Sequence, residues 1–275
     1  MKHRMFGLTI IVALLVATNT LVIALPAQAA TFSNASLKGT YSFLNNLWTA
    51  NVGTNQFAMV GVLAFDGAGN VTGSYTSISR HTVQTGTLSG IYIVMSNGTG
   101  TITITFTPGS TAHFAITLNS TAGTVAHGLQ LLQINDANNE IISGTALLQA
   151  TTSATYSVAS LKGTFAFQYN PRTADGSLAE DGGVGIFTFD GKGNLKGSIT
   201  IMYDGQLFTG NALTGTYSVN SDGSGRLSVV SKHNPRLAFA LNSVAAGLAN
   251  GMQFLDTNTG DGSGNLVITG SALKQ

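Results

Sequence analysis

The chain contains no cysteine, one tryptophan, four prolines and only 8% charged side chains in 275 residues. Each shortage excludes something. Without cysteine there is neither a disulfide framework nor a thiolate metal site, so packing and backbone hydrogen bonds must hold the fold. With 12 Lys and Arg against 11 Asp and Glu, there is no basic field for a phosphate backbone. That argues against nucleic acid as a partner. The helix formers Glu, Lys and Arg are scarce, whereas Thr, Ser and 34 glycines are plentiful and 43% of the chain is hydrophobic. This balance suits strands joined by tight turns.

Lys2 and Arg4 precede an apolar stretch from Phe6 to Leu25, which runs into Pro26-Ala27-Gln28-Ala29. A basic start, a short apolar run and an A-x-A pattern predict a secretory signal peptide over residues 1–29, cleaved after Ala29. The mature protein is then expected to be secreted or periplasmic, with no integral membrane span left. Of the 12 cations, Lys2 and Arg4 leave with the leader, so ten remain against 11 carboxylates and the mature chain is close to neutral.

What is present in abundance is self-similarity. Ala35-Ser36-Leu37-Lys38-Gly39-Thr40-Tyr41-Ser42-Phe43 returns as Ala159-Ser160-Leu161-Lys162-Gly163-Thr164-Phe165-Ala166-Phe167, and Phe65-Asp66-Gly67 returns as Phe189-Asp190-Gly191, both 124 residues later. Gly90-Ile91-Tyr92-Ile93-Val94 is matched by Gly215-Thr216-Tyr217-Ser218-Val219, and Ser143-Gly144-Thr145-Ala146-Leu147 by Thr269-Gly270-Ser271-Ala272-Leu273. A unit of this length is a duplicated domain, not a solenoid repeat. The seam falls near Thr151 to Tyr156, giving repeats over residues 30–152 and 153–275.

Within a unit the dominant period is two. Thr101-Ile102-Thr103-Ile104-Thr105-Phe106 alternates strictly, as a half-buried antiparallel strand should. The same pattern predicts strands near 40–46, 56–66, 70–79, 87–95, 100–107, 112–119, 127–135 and 140–149. In the second unit it predicts strands near 164–170, 180–190, 194–203, 212–220, 225–231, 236–242, 250–256 and 265–274. Asp66-Gly67-Ala68-Gly69-Asn70 and Asp190-Gly191-Lys192-Gly193-Asn194 are hairpin turns in this reading. They lack the distal Glu of an EF-hand loop, so they are not calcium sites. About eight consecutive strands per unit, with no helix between them, predict an all-β protein of two tandem up-and-down barrels, because closure removes the open edges. A single outer-membrane barrel of about sixteen strands fits the strand count, but the apolar inward faces and the Ser-Ala-Leu-Lys-Gln ending argue against it.

A Gly-x-aromatic after a short SLKG lead-in, at the head of an eight-strand meander, resembles the calycin superfamily of lipocalins and fatty-acid-binding proteins. Gly39 with Tyr41, and Gly163 with Phe165, stand where that superfamily carries Gly-x-Trp. The resemblance implies that the aromatic plugs one end of the barrel while the glycine lets the lead-in cross beneath it. The chain departs from the pattern in having no tryptophan there and no arginine on the last strand, where Lys274 and Leu148 stand instead. The wider pattern SLKGTY…FDGxGN…GxYxV is similar to that of a group of secreted bacterial proteins without an assigned function.

With Ile102, Ile104 and Phe106 facing inward, the lumen candidates of the first unit are Tyr41, Phe43, Met59, Tyr75, Tyr92, Phe106 and Phe114. Those of the second are Phe165, Phe167, Phe187, Tyr217, Phe239, Met252 and Phe254. Such a stripe is either a packed core or an apolar pocket with tyrosine hydroxyls as its polar contacts. Catalytic chemistry is thin. His81, His113, His127 and His233 are not repeated between units, Asp175, Glu180 and Asp181 form the one acidic cluster, and no nucleophile elbow, P-loop or dinucleotide fingerprint occurs. The expectation is a non-catalytic binding protein without cofactor or metal, holding a small hydrophobic ligand. The alternatives are a structural or adhesive surface protein with filled barrels, or a cyclase-like enzyme that uses the lumen. Val60, Val62, Val184 and Ile186 lie on the outward parity and are expected to pack the two repeats together.

Overall fold

The computed structural model describes residues 31–49, 57–79, 82–122, 124–134, 140–152, 154–173, 181–203, 205–231, 234–258 and 266–275, so the signal peptide expected over residues 1–29 lies outside the described residues. Barrel 1 consists of β1 (Lys38–Thr49), β2 (Phe57–Asp66), β3 (Asn70–Ser79), β4 (Thr82–Val94), β5 (Thr99–Phe106), β6 (Ser110–Ala122), β7 (Val125–Gln133) and β8 (Glu140–Ala150). Barrel 2 consists of β9 (Lys162–Thr173), β10 (Asp181–Asp190), β11 (Asn194–Tyr203), β12 (Gln206–Val219), β13 (Ser224–Val230), β14 (Arg236–Asn242), β15 (Gly251–Asp256) and β16 (Leu266–Lys274). Each set forms a closed antiparallel barrel in which sequence neighbours are sheet neighbours. β1 closes on β8 from Thr40↔Ala150 to Thr49↔Glu140, and β9 closes on β16 from Leu266↔Thr173 to Lys274↔Phe165. Two separate closures exclude the single sixteen-stranded barrel. Among the described residues no helix is long and apolar enough to cross a membrane.

The strands read from alternation are the strands that form, with two extensions. β4 begins at Thr82 and β12 at Gln206, several residues before the alternation starts. The segments TVQTGT and QLFTGN are carried into the sheet by register with β3 and β11, for example Ser79↔Thr82 and Tyr203↔Gln206. Local pattern is weak there and cross-strand pairing decides.

The repeated SLKG lead-in closes one end of each barrel. A single 3₁₀ turn (Asn34–Ser36, repeated as Val158–Ser160) places Ser36 Oγ 3.2 Å from the Ser33 N–H, and Ser160 Oγ 3.3 Å from that of Ser157. Leu37 and Leu161 then turn inward and are fully buried. Gly39 and Gly163 hold φ of +114° and +109°, a region costly for any residue with a Cβ. At Gly39 that Cβ would also run into the Ala150 carbonyl. The tyrosine of the repeated GxYxV motif ties the lead-in down. Tyr92 Oη lies 2.8 Å from the Leu37 carbonyl and 3.1 Å from that of Asn34, while Tyr217 Oη makes the same pair with Leu161 and Val158 at 2.8 and 3.1 Å. Phe65 stacks edge-on between Tyr41 and Tyr92, with centroids 5.4 and 5.0 Å away, and Phe189 repeats this between Phe165 and Tyr217 at 5.4 and 5.1 Å. Edge-to-face pairs of this kind add to the area that they bury.

The two barrels meet through a third apolar cluster. Ala58, Val60, Val62 and Ile78 of β2 and β3 pack with Ala238, Ala240, Leu255 and Val267 of β14, β15 and β16. Around it, Ser42 Oγ donates to Gln253 Oε1 (3.2 Å), Gln253 Nε2 donates to Thr145 Oγ1 (2.9 Å), and Ser74 Oγ donates to Asp222 Oδ2 (2.6 Å). Backbone bonds Ser243 N to Leu148 O and Val244 N to Gln149 O join the barrels further. The expected pairing of Val60 and Val62 with Val184 and Ile186 is therefore half corrected. The first pair is in the interface, but Val184 and Ile186 lie outside it and are exposed. The reason is that the barrels pack through different faces, β1–β3 on one and β14–β16 on the other, so equivalent residues do not meet.

Three substitutions probe these arrangements. Tyr92→Phe and Tyr217→Phe each leave buried carbonyls without their donor, and each is expected to cost about 1–3 kcal/mol, read as an earlier urea transition of the affected barrel. A charge at Val62 (2% exposed) cannot be solvated at the interface. Val62→Asp should therefore broaden the solution-scattering profile as the barrels separate, whereas an unchanged compact profile would contradict this interface.

Candidate functional site

All fourteen lumen candidates point inward. Tyr41, Phe43, Met59, Tyr75, Tyr92, Phe106 and Phe114 belong to one buried cluster, and Phe165, Phe167, Phe187, Tyr217, Phe239, Met252 and Phe254 to another. Several of their rings touch. Tyr75 and Phe106 are edge-to-face with centroids 5.1 Å apart, while Phe167 stacks on Phe187 at 4.0 Å and approaches Phe254 edge-on at 6.5 Å. Room for these rings comes from glycines opposite them. A Cβ at Gly61 would meet Phe43, and one at Gly185 would meet Phe167.

The hydroxyls of the four candidate tyrosines, Tyr41, Tyr75, Tyr92 and Tyr217, all have backbone partners, whereas that of Tyr156, also buried in the barrel 2 cluster, has none among the described residues. Tyr41 Oη donates to the Ala126 carbonyl at 2.7 Å and Tyr75 Oη to that of Thr107 at 3.1 Å, alongside the Tyr92 and Tyr217 bonds. Burial raises the pKa of Tyr92 to about 12, with the Asp66 charge adding to the effect. Burial also raises those of Tyr41, Tyr75 and Tyr217. These hydroxyls therefore stay protonated as donors, with no tendency to act as bases near neutrality.

Inward polar residues were missed in the sequence, among them Ser77 and Asn45 of barrel 1 and Asp256 of barrel 2. Asn45 continues the Tyr41, Phe43 parity, is buried, and lies over Gly144 in its β8 pairing; its Oδ1 has no hydrogen-bond donor among the described residues. The period-two pattern of β1 was signal enough to place it inward. Reading the stripe only for aromatics hid it.

The glycine turns are structural. Asp66 Oδ1 accepts from the N–H groups of Ala68 (2.7 Å), Gly69 (3.0 Å) and Asn70 (2.9 Å), and Oδ2 accepts from Asn70 Nδ2 at 2.6 Å. Asp190 repeats this with Lys192 N at 2.7 Å, Asn194 N at 3.0 Å and Asn194 Nδ2 at 2.8 Å. Hydrogen bonds from Asn70 and Asn194, foremost their side chains, lower both carboxyl pKa values to about 2. The remaining candidates do not converge. His113 lies 3.0 Å from Thr103 Oγ1 on the outer wall, and His127 is exposed. His81, His233, Asp175, Glu180 and the side chain of Asp181 lie outside the described residues. Among the described residues no group of three or more His, Cys, Asp or Glu could hold a metal ion.

These pKa shifts predict two edges in stability against pH. The carboxylates are depressed from 3.8, so their contribution is complete above about pH 4 and disappears as pH falls toward 2. Tyr92 is raised from 10.0, so its contribution is complete below pH 10 and disappears as pH rises through 12. Thermal melts across pH should show both losses. Asp66→Asn with Asp190→Asn should flatten the acid edge and leave the alkaline edge in place.

No known family matches the sequence, and no curated protein matches it. Solved structures give weak likenesses. An AttH candidate from Nitrosomonas europaea is 10% identical with a TM-score of 0.30, over 91% of this chain and 97% of that one. A protein of unknown function in the DUF3598 family from Nostoc punctiforme is 13% identical with a TM-score of 0.26, over 88% and 98%. Transferrin binding protein B from serogroup B Neisseria meningitidis is 6% identical with a TM-score of 0.29, over 87% and 77%. Likenesses at these scores carry no functional weight, and the reading rests on the chain's own geometry.

Proposed function

We propose that this is a secreted or periplasmic, non-catalytic binding protein of the structural or adhesive kind, with solid barrels that serve as scaffolds and outer faces that make the contacts. The observation that carries this reading is the engagement of the lumen. The inward rings pack on one another, and the hydroxyls of Tyr41, Tyr75, Tyr92 and Tyr217 are each bonded to a backbone carbonyl. A ligand in either barrel would have to displace that packing and leave buried carbonyls unpaired. The outer walls, by contrast, carry threonine rows such as Thr101 and Thr105, with exposed apolar residues set among them.

A second reading has one observation in its favour. The unpaired, buried Asn45 Oδ1 faces the lumen of barrel 1, where a small apolar ligand bearing one donor would pair with it. Native mass spectrometry of the mature protein from its own host, with organic extraction of whatever dissociates, separates the two. The solid-barrel reading expects an apo mass and no uptake of fatty-acid or retinoid-like probes. A stoichiometric small molecule would overturn it, and loss of that molecule in Asn45→Leu would assign it to barrel 1.

A further inference from the structure

The interface between the barrels is heterologous: barrel 1 offers the face of β1–β3 with the adjoining edge of β8 at Thr145, Leu148 and Gln149, which leaves the β6–β7 side and Ile141 outside it, and barrel 2 offers the face of β14–β16. Because the barrels are repeats, each carries a version of both faces, and the fold of one chain uses only one of each. β9–β11 of barrel 2 repeats the face that barrel 1 has already engaged, and β6–β8 of barrel 1 repeats the face that barrel 2 has already engaged. We propose that these two free faces bind each other between molecules, so that the chain associates head to tail with further copies of itself.

The free faces keep the chemistry of the used ones. On barrel 2, Val184 (57% exposed) and Ile186 (36%) stand where Val60 and Val62 are buried. They line an open groove of about 600 Å³, together with Ala166, Ser198, Ser271 and Leu273. On barrel 1, Leu132 (45% exposed) and Ile141 (52%) stand where Leu255 and Val267 are buried. Ala115 takes the place of Ala238 and pairs with Leu132 as Ala238 pairs with Leu255. Apolar residues of this size, exposed at equivalent places on two complementary faces, are what a repeated interface leaves at its ends.

The polar partners are retained as well. Gln253, which donates to Thr145 within the chain, is matched by Gln130, and Thr145 is matched by Ser271 in the groove. Ser74, which donates to Asp222, is matched by Ser198, and Asp222 by Asn97. Asp222 Oδ1 accepts from Ser224 N and Oγ, and Asn97 Oδ1 accepts from Thr99 N and Oγ1 in the same way. The Asn97 amide nitrogen is thus directed where Asp222 presents its second oxygen, and it can donate to Ser198 Oγ. None of these matched positions carries a charge.

Three substitutions make the contact between molecules weaker than the one within the chain. Ala166 lacks the hydroxyl with which Ser42 bonds Gln253, Gln168 replaces Leu44, and the bulkier Thr117 replaces Ala240. The linker at the seam also raises the effective concentration of the contact within the chain, an advantage that separate molecules lack. Association should therefore grow with concentration and, being heterologous, should produce chains or rings rather than stop at a symmetric dimer. This inference goes beyond the reading above and stands whether or not a lumen holds a ligand.

Sedimentation analysis of the mature protein over a concentration series tests it, with two variants of exposed residues, Val184→Asp/Ile186→Asp and Leu132→Asp/Ile141→Asp. Wild type should rise past twice the monomer mass, and each variant alone should remain monomeric with an unchanged circular dichroism spectrum. An equimolar mixture should form a 1:1 dimer and go no further, because each variant retains the face that the other has lost. A wild type that stays monomeric at its highest soluble concentration would overturn the proposal, and its free faces would then belong to another partner or to solvent. Association that persists in either variant, or a mixture that stays monomeric, would overturn it equally.

Discussion

One hydrogen bond organises each barrel: the phenol of Tyr92, or of Tyr217, on the carbonyl of the leucine that enters the barrel's end. A meander of eight strands can close its sheet, but nothing in the sheet closes its ends. The lead-in supplies the stopper, and the stopper brings backbone carbonyls into an apolar interior where each needs a donor. A tyrosine reaching across from β4 or β12 meets that need and holds the leucine in place. Gly39 and Gly163 follow from the same constraint, since the chain must turn sharply from stopper to first strand. Phe65 and Phe189, packed edge-on against those tyrosines, fix the angle at which the phenol arrives.

This constraint explains which parts of the repeat have stayed alike and which have drifted. The closed end retains SLKG, FDG and GxY almost unchanged, because each residue there answers to another. At the opposite end only total volume must be kept. Asn45 pairs with Met59 in barrel 1, whereas Tyr169 pairs with Gly183 at the equivalent place in barrel 2. A side chain at Gly183 would strike the Tyr169 ring, so the large and small partners have exchanged strands. Likewise the aromatic pair Tyr75 and Phe106 gives way to Ile199 and Ser231, while Ile116 and Leu131 become Phe239 and Phe254. The aromatic mass has moved to the other side of the lumen.

Much of this was legible in the sequence because the information is local. Strict alternation placed β5 and, through the repeat, most other strands, and parity alone sent every lumen candidate inward. What could not be read were relations between distant surfaces. Val62 and Ile186 are equivalent in sequence, outward and apolar, yet one is buried and the other exposed. Nothing in either strand distinguishes them, because the difference lies in what the other barrel presents. The partners of the tyrosine hydroxyls were hidden for the same reason. A phenol beside a ligand and a phenol on a carbonyl have the same sequence neighbours.

Duplication has a consequence for surfaces that it lacks for cores. A core is complete within one barrel, so copying it produces two independent interiors, free to exchange Ile116 for Phe239 provided the volume is made up elsewhere. A heterologous face is never complete within one copy. Two barrels joined by unlike faces must leave one unlike face at each end, and selection for the junction acts on only half of the residues involved. The free half can then turn polar, as Leu44 has become Gln168, or it can keep its character, as Val60 has in Val184. Retention of Gln130, Ser198, Ser271 and the apolar pairs on both free faces at once weighs toward the second course. Unused surface of this kind would be expected to lose its exposed valine and isoleucine, since they invite unspecific association.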